Sequence, residues 1–184
     1  SKPHASDKKE LNLLWVGKYD LRKQLGIAIR TMELLKDKKN IHLWVAGNGY
    51  PKDVEKYTKM VEDKGLKENV QEMDIFFFTS VHDATSTVVP EAISAGLPVV
   101  CHDMRGFGVI VDDEIGRKVQ PKDPEASAQE FAKIIADLDT ERDTLRQLSA
   151  GCIDRQREIS WEANARKMVK EYEKAVERFK AKKK

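Results

Sequence analysis

Residues 11–47 read LNLLWVGKYDLRKQLGIAIRTMELLKDKKNIHLWVAG, which is two apolar runs with a helical pattern between them. The runs at 11–17 and 41–47 are rich in β-branched and aromatic residues, and each stops at a glycine, as strands buried on both faces do. Between them, Ile27 and Met32 belong to an apolar pattern with helical spacing. This arrangement predicts two parallel strands joined by a crossover helix.

The same alternation continues along the chain. Two further apolar runs, at 74–80 and 98–103, are predicted to be buried strands. Further helical patterns cover 52–65, about 124–138, 141–159 and 161–181. Together they predict an α/β fold, a Rossmann-like three-layer αβα sandwich with a mostly parallel sheet.

The predicted elements divide the chain into three parts. Residues 1–10 are polar and patternless and are predicted to be a linker. Residues 11–160 form the α/β domain, and 161–184 form a basic amphipathic helix. The apolar stripe of that helix is predicted to pack in the core. It consists of Trp161, Ala165, Met168, Tyr172, Val176 and Phe179.

One connection between the predicted strands is too short. If Asn69 and Val70 end a strand, three residues separate them from the strand at 74–80. Joining two parallel strands takes about a dozen residues or more. We therefore expect a segment near 70–73 to be missing, and the alternative is that Asn69 and Val70 are only loop.

Composition sets few limits on function. The 184 residues carry 33 Lys and Arg against 31 Asp and Glu, and the net charge of +2 gives no argument for nucleic acid as a partner. The positive excess belongs to 161–184, where a solvated tail is the first interpretation and a membrane-surface or partner-binding face the alternative. The two cysteines lack metal-ligand spacing, and no apolar run has the length of a membrane span. We expect a cytoplasmic protein, with association at the inner face of the membrane left open.

Ligands of open α/β sheets bind beyond the carboxyl ends of the strands, so the loops at that edge are candidates for a site. The third such loop, within TSVHDATSTVVPEA at 79–92, runs into a helix, because its proline is tolerated only in a first turn. The N-cap is predicted at Thr85 or Ser86. Free amides at Thr87 and Val88, near the positive end of the helix, then predict an anion site.

Charged side chains flank this helix start. Asp83 precedes it and Glu91 follows it, so a ligand lying across it would meet amides at its centre and a carboxylate towards each end. Carboxylates suit vicinal hydroxyls and amides suit phosphate, which together describe a nucleotide sugar. In the loop after the first strand, Lys18 and Lys23 have the charge to neutralise a diphosphate. The alternative is that all four are ordinary turn or solvated residues.

At these positions the chain resembles a known family. The segments LLWVGKYDLRKQLGIAIRTMELL, IHLWVAGNGY, DIFFFTSVHDATSTVVPEAISAGLPVVCHD and DDEIGRKVQ follow, in order, the C-terminal nucleotide-binding half of the group 1, family 4 retaining glycosyltransferases. The resemblance covers about residues 10–175 and implies one half of a GT-B fold, the half that binds the donor sugar. Its partner would be an N-terminal acceptor-binding domain that this chain lacks. The closing helix of GT-B enzymes crosses back to that domain, so the alternative to core packing is that part of the apolar stripe at 161–181 is an exposed docking face.

The resemblance also implies an activity. It implies transfer of a sugar from a nucleoside-diphosphate sugar with retention, a UDP-sugar being favoured, without a metal or other cofactor. Such enzymes commonly serve polysaccharide biosynthesis. We expect the chain by itself to bind nucleotide weakly and to transfer no sugar.

Roles for individual residues follow from the resemblance. Asp83, Lys18 and Lys23 would be the catalytic residues, the aspartate addressing the transferred sugar and the lysines binding phosphate. Glu91 would hold the ribose hydroxyls. Further donor-binding positions are Gly17, Gly47, Gly49, Thr85, Ser86, Thr87 and Val88, and second-tier contacts are His82, Arg105 and Gly106. Five positions depart from the family pattern: Lys18 stands where an arginine is usual, Asp83 where a glutamate is usual, and a glycine is usual at the other three, Gln24, Ala84 and Ser86. Because aspartate is one methylene shorter than glutamate, the reach of Asp83 to the sugar is left open.

Two functions of other classes stay open. A nucleotide-sugar epimerase would also bind a UDP-sugar, but it would place further acid and base residues in the cleft. A non-catalytic nucleotide-binding module would keep the anion site at the helix start and would tolerate loss of Asp83.

Overall fold

A computed structural model of the protein describes residues 9–52, 73–83 and 87–181. Three predictions fall almost wholly outside the described residues: the helix at 52–65, the connection near 70–73, and the capping positions at 85 and 86.

Strands and helices alternate along the described chain. The strands are β1 (Leu11–Lys18), β2 (Ile41–Asn48), β3 (Ile75–Phe78), β4 (Val99–His102) and β5 (Gly116–Val119). The helices are α1 (Leu25–Leu34), α2 (Val88–Ser94), α3 (Arg105–Ile110), α4 (Pro124–Thr140), α5 (Arg142–Glu158) and α6 (Trp161–Ala181).

The strands form one parallel sheet in the order β2-β1-β3-β4-β5. β1 and β2 pair along their whole length, from Leu11 opposite Ile41 to Lys18 opposite Asn48. The predicted α/β fold with a parallel sheet is therefore confirmed. The strand order reverses between β1 and β3, so the loops that follow these two strands diverge and leave a crevice at the carboxyl edge.

Helices cover both faces of the sheet, as the predicted three-layer sandwich requires. In β3 the side chains alternate, so Phe77 packs edge-on against Phe131 of α4, with ring centroids 5.1 Å apart. On the other face, Phe78 packs edge-on against Phe107 of α3 at 5.3 Å. α1 and α4 contribute to the first core cluster, and α2 and α3 to the second. α5 contributes to both, with Leu145 and Leu148 in the first and Cys152 in the second. This buried sheet fixes the strand ends that carry the candidate site.

Two elements were not predicted from the sequence. β5 reads GRKV, and its two central residues are only partly buried, so it lacks the continuous apolar run of the other strands. α3 has six residues, two of them glycine, and glycine disfavours helix by about 1 kcal/mol relative to alanine.

The helix after β3 begins later than predicted. α2 starts at Val88 with Thr87 as its N-cap, so the prediction of Thr85 or Ser86 was wrong by one or two residues. Pro90 is the third residue of α2, still within the first turn, where its missing amide costs no helical hydrogen bond. A proline limits a helix start to one turn but does not select the residue within it.

The prediction that the stripe of α6 packs in the core was wrong. Among the described residues of α6 none is buried, and its exposed large apolar residues range from 50% exposed at Val176 to 89% at Trp161. The stripe thus forms an exposed apolar face on this helix. None of the described helices is long and apolar enough to cross a membrane.

Candidate functional site

A cavity of about 590 Å³ lies at the carboxyl edge of the sheet, in the crevice between the ends of β1 and β3. We call it the switch-point cavity. Seven predicted site residues line it: Gly17, Lys18, Lys23, Gly47, His82, Asp83 and Val88. Arg22 and Asn48, which the sequence analysis missed, line it too. The structure therefore brings most of the predicted charged residues to the place where open α/β sheets bind ligands.

Two glycines let β1 and β2 approach closely at the cavity floor. Gly17 pairs with Gly47 in the parallel register. A Cβ on Gly47 would lie 1.9 Å from the carbonyl oxygen of Gly17, a distance that no non-bonded pair of atoms can keep. The absence of side chains at both positions also exposes backbone to the cavity. Gly47 is thus required for the strand ends to meet.

Lys23 and Asp83 form an ion pair at the cavity wall. The Nζ of Lys23 donates a hydrogen bond to Oδ2 of Asp83 and lies 5.2 Å from the ring centroid of Phe78. Their side chains are only 19% and 22% exposed, so water screens this pair less than a surface ion pair. The resemblance gave the two residues separate partners, phosphate and sugar. Because they touch, a ligand that reaches one must also meet the other.

The loop after β1 supplies a further cation. Arg22 donates to Oδ2 of Asp20 at 2.7 Å, and Oδ1 of Asp20 accepts the backbone amides of Arg22 and Lys23 at 2.9 and 3.2 Å. Burial alone would raise the pKa of Asp20, but these hydrogen bonds outweigh burial and lower it. Asp20 therefore stays ionised and shapes the loop, while Lys18, Arg22 and Lys23 leave the cavity with an excess of positive charge. The only sequence signal for Arg22 is its place beside Lys23 in a loop that follows a strand.

Glu91 belongs to a different cavity. Together with Thr87 and Gly106 it lines a cavity of about 600 Å³ between α2, α3 and the start of α6, which we call the second cavity. Trp161 forms part of its wall. Val88 lines the switch-point cavity and Thr87 the second, so the first turn of α2 separates the two. A ligand that meets both Asp83 and Glu91 must cross the start of α2.

Of the remaining predicted positions, the structure describes two, and Gly49 is not among the described residues that line either cavity. Gly49 follows β2, and Arg105 is the first residue of α3. Thr85 and Ser86 lie outside the described residues. Within the described part of the chain, no group of three or more His, Cys, Asp and Glu side chains has the arrangement of a metal site.

His102 is the last residue of β4, and its side chain faces the interior. It is 0% exposed, its Nδ1 lies 3.1 Å from the carbonyl oxygen of Thr79, and its ring packs edge-on against Phe131. Because a carbonyl only accepts, Nδ1 carries the proton and donates it. Burial lowers the pKa of His102, so the neutral imidazole is favoured there.

Known proteins provide independent comparisons. The family model described as "Glycosyl transferases group 1" matches residues 10–137. An uncharacterized glycosyltransferase of Methanocaldococcus jannaschii is 25% identical, with 91% of this chain aligned to 46% of that protein. The chain thus spans about half the length of this relative.

Similar solved structures share the fold. The C-terminal domain of a glycosyl transferase group 1 family protein (LpcC) from Francisella tularensis superposes with a TM-score of 0.64 at 20% identity, covering 82% of this chain and 88% of that one. The pneumococcal O-GlcNAc transferase GtfA, in complex with UDP and GlcNAc, gives 0.71 at 16% identity, covering 96% and 37%. Anabaena HepE in complex with UDP gives 0.74 at 14% identity, covering 91% and 49%.

Proposed function

The chain belongs to the group 1 glycosyl transferases, and from this premise we propose that it is the donor-binding domain of a retaining enzyme that uses a nucleoside-diphosphate sugar. We favour a UDP-sugar, in keeping with the UDP bound by the pneumococcal and Anabaena proteins of similar fold. The observation that carries the proposal is the switch-point cavity, where Lys18, Lys23 and Asp83 meet beyond the ends of β1 and β3.

In this proposal the cations of the cavity hold the diphosphate. Lys18, Arg22 and Lys23 are fixed positive charges, which stabilise the charge that develops on the departing diphosphate. Since the chain itself supplies this charge, we propose that transfer needs no divalent metal. A charge-assisted hydrogen bond contributes about 1.5–3 kcal/mol, so each well-placed cation is expected to raise nucleotide affinity about tenfold or more.

Asp83 has a double role in this proposal. Without donor it pairs with Lys23, whose ammonium group has three N–H donors and can hold a phosphate oxygen and Asp83 together. Its second oxygen then accepts from a hydroxyl of the transferred sugar, which orients the donor for transfer. The same contact keeps Lys23 beside the phosphate.

Glu91 is proposed to bind the ribose. Its side chain is exposed on the far side of the first turn of α2. The donor would therefore lie across the start of α2, with diphosphate in the switch-point cavity and ribose hydroxyls towards Glu91. This path passes the backbone of Thr87 and Val88, which the resemblance also assigns to the donor.

The acceptor would be bound elsewhere. Because the chain spans about half of its relative, we propose that an N-terminal acceptor-binding domain completes the enzyme and covers the exposed apolar face of α6. A membrane surface is the alternative partner for that face. The chain alone is then expected to bind nucleotide weakly and to transfer no sugar.

The test is calorimetric titration of the chain with UDP, GDP, ADP and NAD. We expect UDP to bind, Glu91→Ala to abolish this binding, and Lys23→Met to weaken it about 10–100-fold. Lys133→Met, at an exposed lysine of α4, is the matched control and should bind UDP like the wild type. Binding of NAD alone would overturn the proposal.

Activity is tested in the longer protein that contains this domain. Asp83→Ala should abolish transfer and donor hydrolysis, because Asp83 orients the transferred sugar. Epimerised product in place of transfer would point to the epimerase alternative. Unchanged donor hydrolysis in Asp83→Ala would point to a non-catalytic nucleotide-binding module.

A further inference from the structure

Thr79, directly after β3, is the centre of a buried hydrogen-bond network. Its hydroxyl lies 3.0 Å from the carbonyl oxygens of both Lys23 and Gln24 and shares its proton between them. The same hydroxyl accepts the indole N–H of Trp15 at 3.0 Å, and the Thr79 carbonyl accepts Nδ1–H of His102 at 3.1 Å. Thr79 is 0% exposed. One residue thus ties β1, the loop after β1, and β4 together.

The next two residues extend this attachment. Ser80 donates from Oγ to the carbonyl of Arg22 at 3.1 Å, and the amide of Val81 donates to the same oxygen at 3.0 Å. Residues 79–81 therefore contact the three consecutive carbonyls of 22–24, and we call this set of contacts the loop latch. Ser80 is also 0% exposed, so water does not compete for its bond.

The loop latch holds a strained conformation. Gln24 has φ 53° and ψ 42°, the left-handed region that residues other than glycine rarely adopt. Such conformations persist where the surroundings impose them. Here the surroundings include the Thr79 hydroxyl on the Gln24 carbonyl, and the strained residue directly follows Lys23.

The latch joins the two loops that carry the ion pair of the switch-point cavity. Lys23 comes from the loop after β1, and Asp83 lies four residues beyond Thr79. A phosphate bound to Lys23 would share its ammonium group with Asp83. The latch is a second attachment between the same loops, and it consists of backbone groups and buried hydroxyls that take no part in the ion pair.

We propose that Thr79 is a positioning residue of the donor site and that it holds Lys23 against the switch-point cavity. Thr79 itself is not among the described residues that line this cavity. The proposal rests on the proposed function for its ligand, a nucleoside diphosphate. Its structural part, control of the Lys23 loop by one hydroxyl, stands on the network itself.

The test compares Thr79→Val, which keeps the shape and removes the hydroxyl, with Thr79→Ser, which keeps the hydroxyl. Thr31→Val is the matched control, because the Thr31 hydroxyl is also 0% exposed but donates to Ile27 within α1, at 2.9 Å. Two quantities are measured: hydrogen exchange of the Val81 amide, corrected for global stability, and the dissociation constant for UDP.

Thr79→Val should speed exchange of the Val81 amide and weaken UDP binding, each about tenfold, and Thr79→Ser should restore both. Thr31→Val should leave both within about twofold of wild type. If Thr79→Val does not fold, Ser80→Ala, which removes only the bond to Arg22, should show smaller losses of the same two kinds.

Two results would overturn the proposal: exchange of Val81 unchanged in Thr79→Val, or UDP binding weakened no more than by Thr31→Val. Failure of the wild-type chain to bind UDP would instead sink the donor assignment. In that case the exchange measurement alone decides whether Thr79 positions the Lys23 loop.

Discussion

Replacement of Gly47 by alanine should open the sheet at the candidate site. The new Cβ would lie 1.9 Å from the carbonyl oxygen of Gly17. An ordinary contact begins near 3.4 Å, so the ends of β1 and β2 must separate by about 1.5 Å. The obstacle is backbone on the neighbouring strand, and no side-chain rotation relieves it.

The magnitude follows from the hydrogen bonds at that end of the strand pair. The amide of Tyr19 donates to the carbonyl of Asn48 at 2.8 Å, one residue beyond the last registered pair. A separation of about 1.5 Å breaks this bond and its nearest ladder neighbour, each worth roughly 0.5–1.5 kcal/mol. We expect Gly47→Ala to lower the free energy of unfolding by about 2 kcal/mol, and the midpoint of thermal unfolding by about 4–8 °C.

Gly26→Ala is the matched control, because a Cβ on Gly26 meets nothing within 4 Å. It lies in α1, where alanine is the better helix former, and should stabilise the protein by about 0.5 kcal/mol. Thermal and urea unfolding of the three proteins give the comparison, and UDP titration should show weaker binding for Gly47→Ala only. Equal stability of Gly47→Ala and wild type would refute the close approach of β1 and β2 at this point.

Three further substitutions test the surroundings of the site. Gln24→Gly should raise the free energy of unfolding by roughly 0.5–1 kcal/mol in urea titration, because glycine adopts the left-handed conformation without strain; a loss of stability would contradict that conformation. Burial lowers the pKa of His102 in the folded chain. As the pH falls below about 6.5, His102 is therefore protonated in the unfolded chain before it is protonated in the folded one. The free energy of unfolding then falls by up to about 1.4 kcal/mol per pH unit. His102→Leu should flatten this dependence in unfolding curves between pH 7 and 5. Glu125→Gln should leave the urea midpoint close to that of the wild type, although Arg30 holds Glu125 through two hydrogen bonds of 2.8 and 3.0 Å, because both side chains are nearly half exposed. A clear fall in the midpoint would contradict this.

The sequence predicts the parts of the fold that depend on buried strands. The runs that became β1 to β4 are apolar enough to be recognised singly, and their alternation with helical patterns predicts a parallel sheet. β5 was not predicted because its two central residues are polar and partly exposed. The packing of α6 was predicted wrongly because an apolar stripe shows that a helix has a face to bury, but not which surface covers it.

For the candidate site too, the sequence predicts some features and not others. Lys18, Lys23 and Asp83 could be chosen from sequence because each lies at or just beyond the carboxyl end of a strand, and the carboxyl ends of parallel strands share one edge. The contact between Lys23 and Asp83 could not, because it joins residues 60 positions apart through the folded loops. The number of residues from the helix start predicts how far along α2 Glu91 lies, but it does not predict the side of α2 that carries Glu91. The role of Thr79 was also hidden, since a hydroxyl at a strand end does not reveal its acceptors.

The central claim is that a nucleoside diphosphate binds in the switch-point cavity. Titration of the nitrogen-15-labelled chain with UDP, followed by nuclear magnetic resonance, localises the ligand without need of catalysis. The amides of Gly17, Gly47 and Val88 should show the largest chemical-shift changes, because all three line that cavity. The claim would be contradicted if these amides stayed unmoved while the amide of Gly106 and the indole N–H of Trp161, both at the second cavity, moved most.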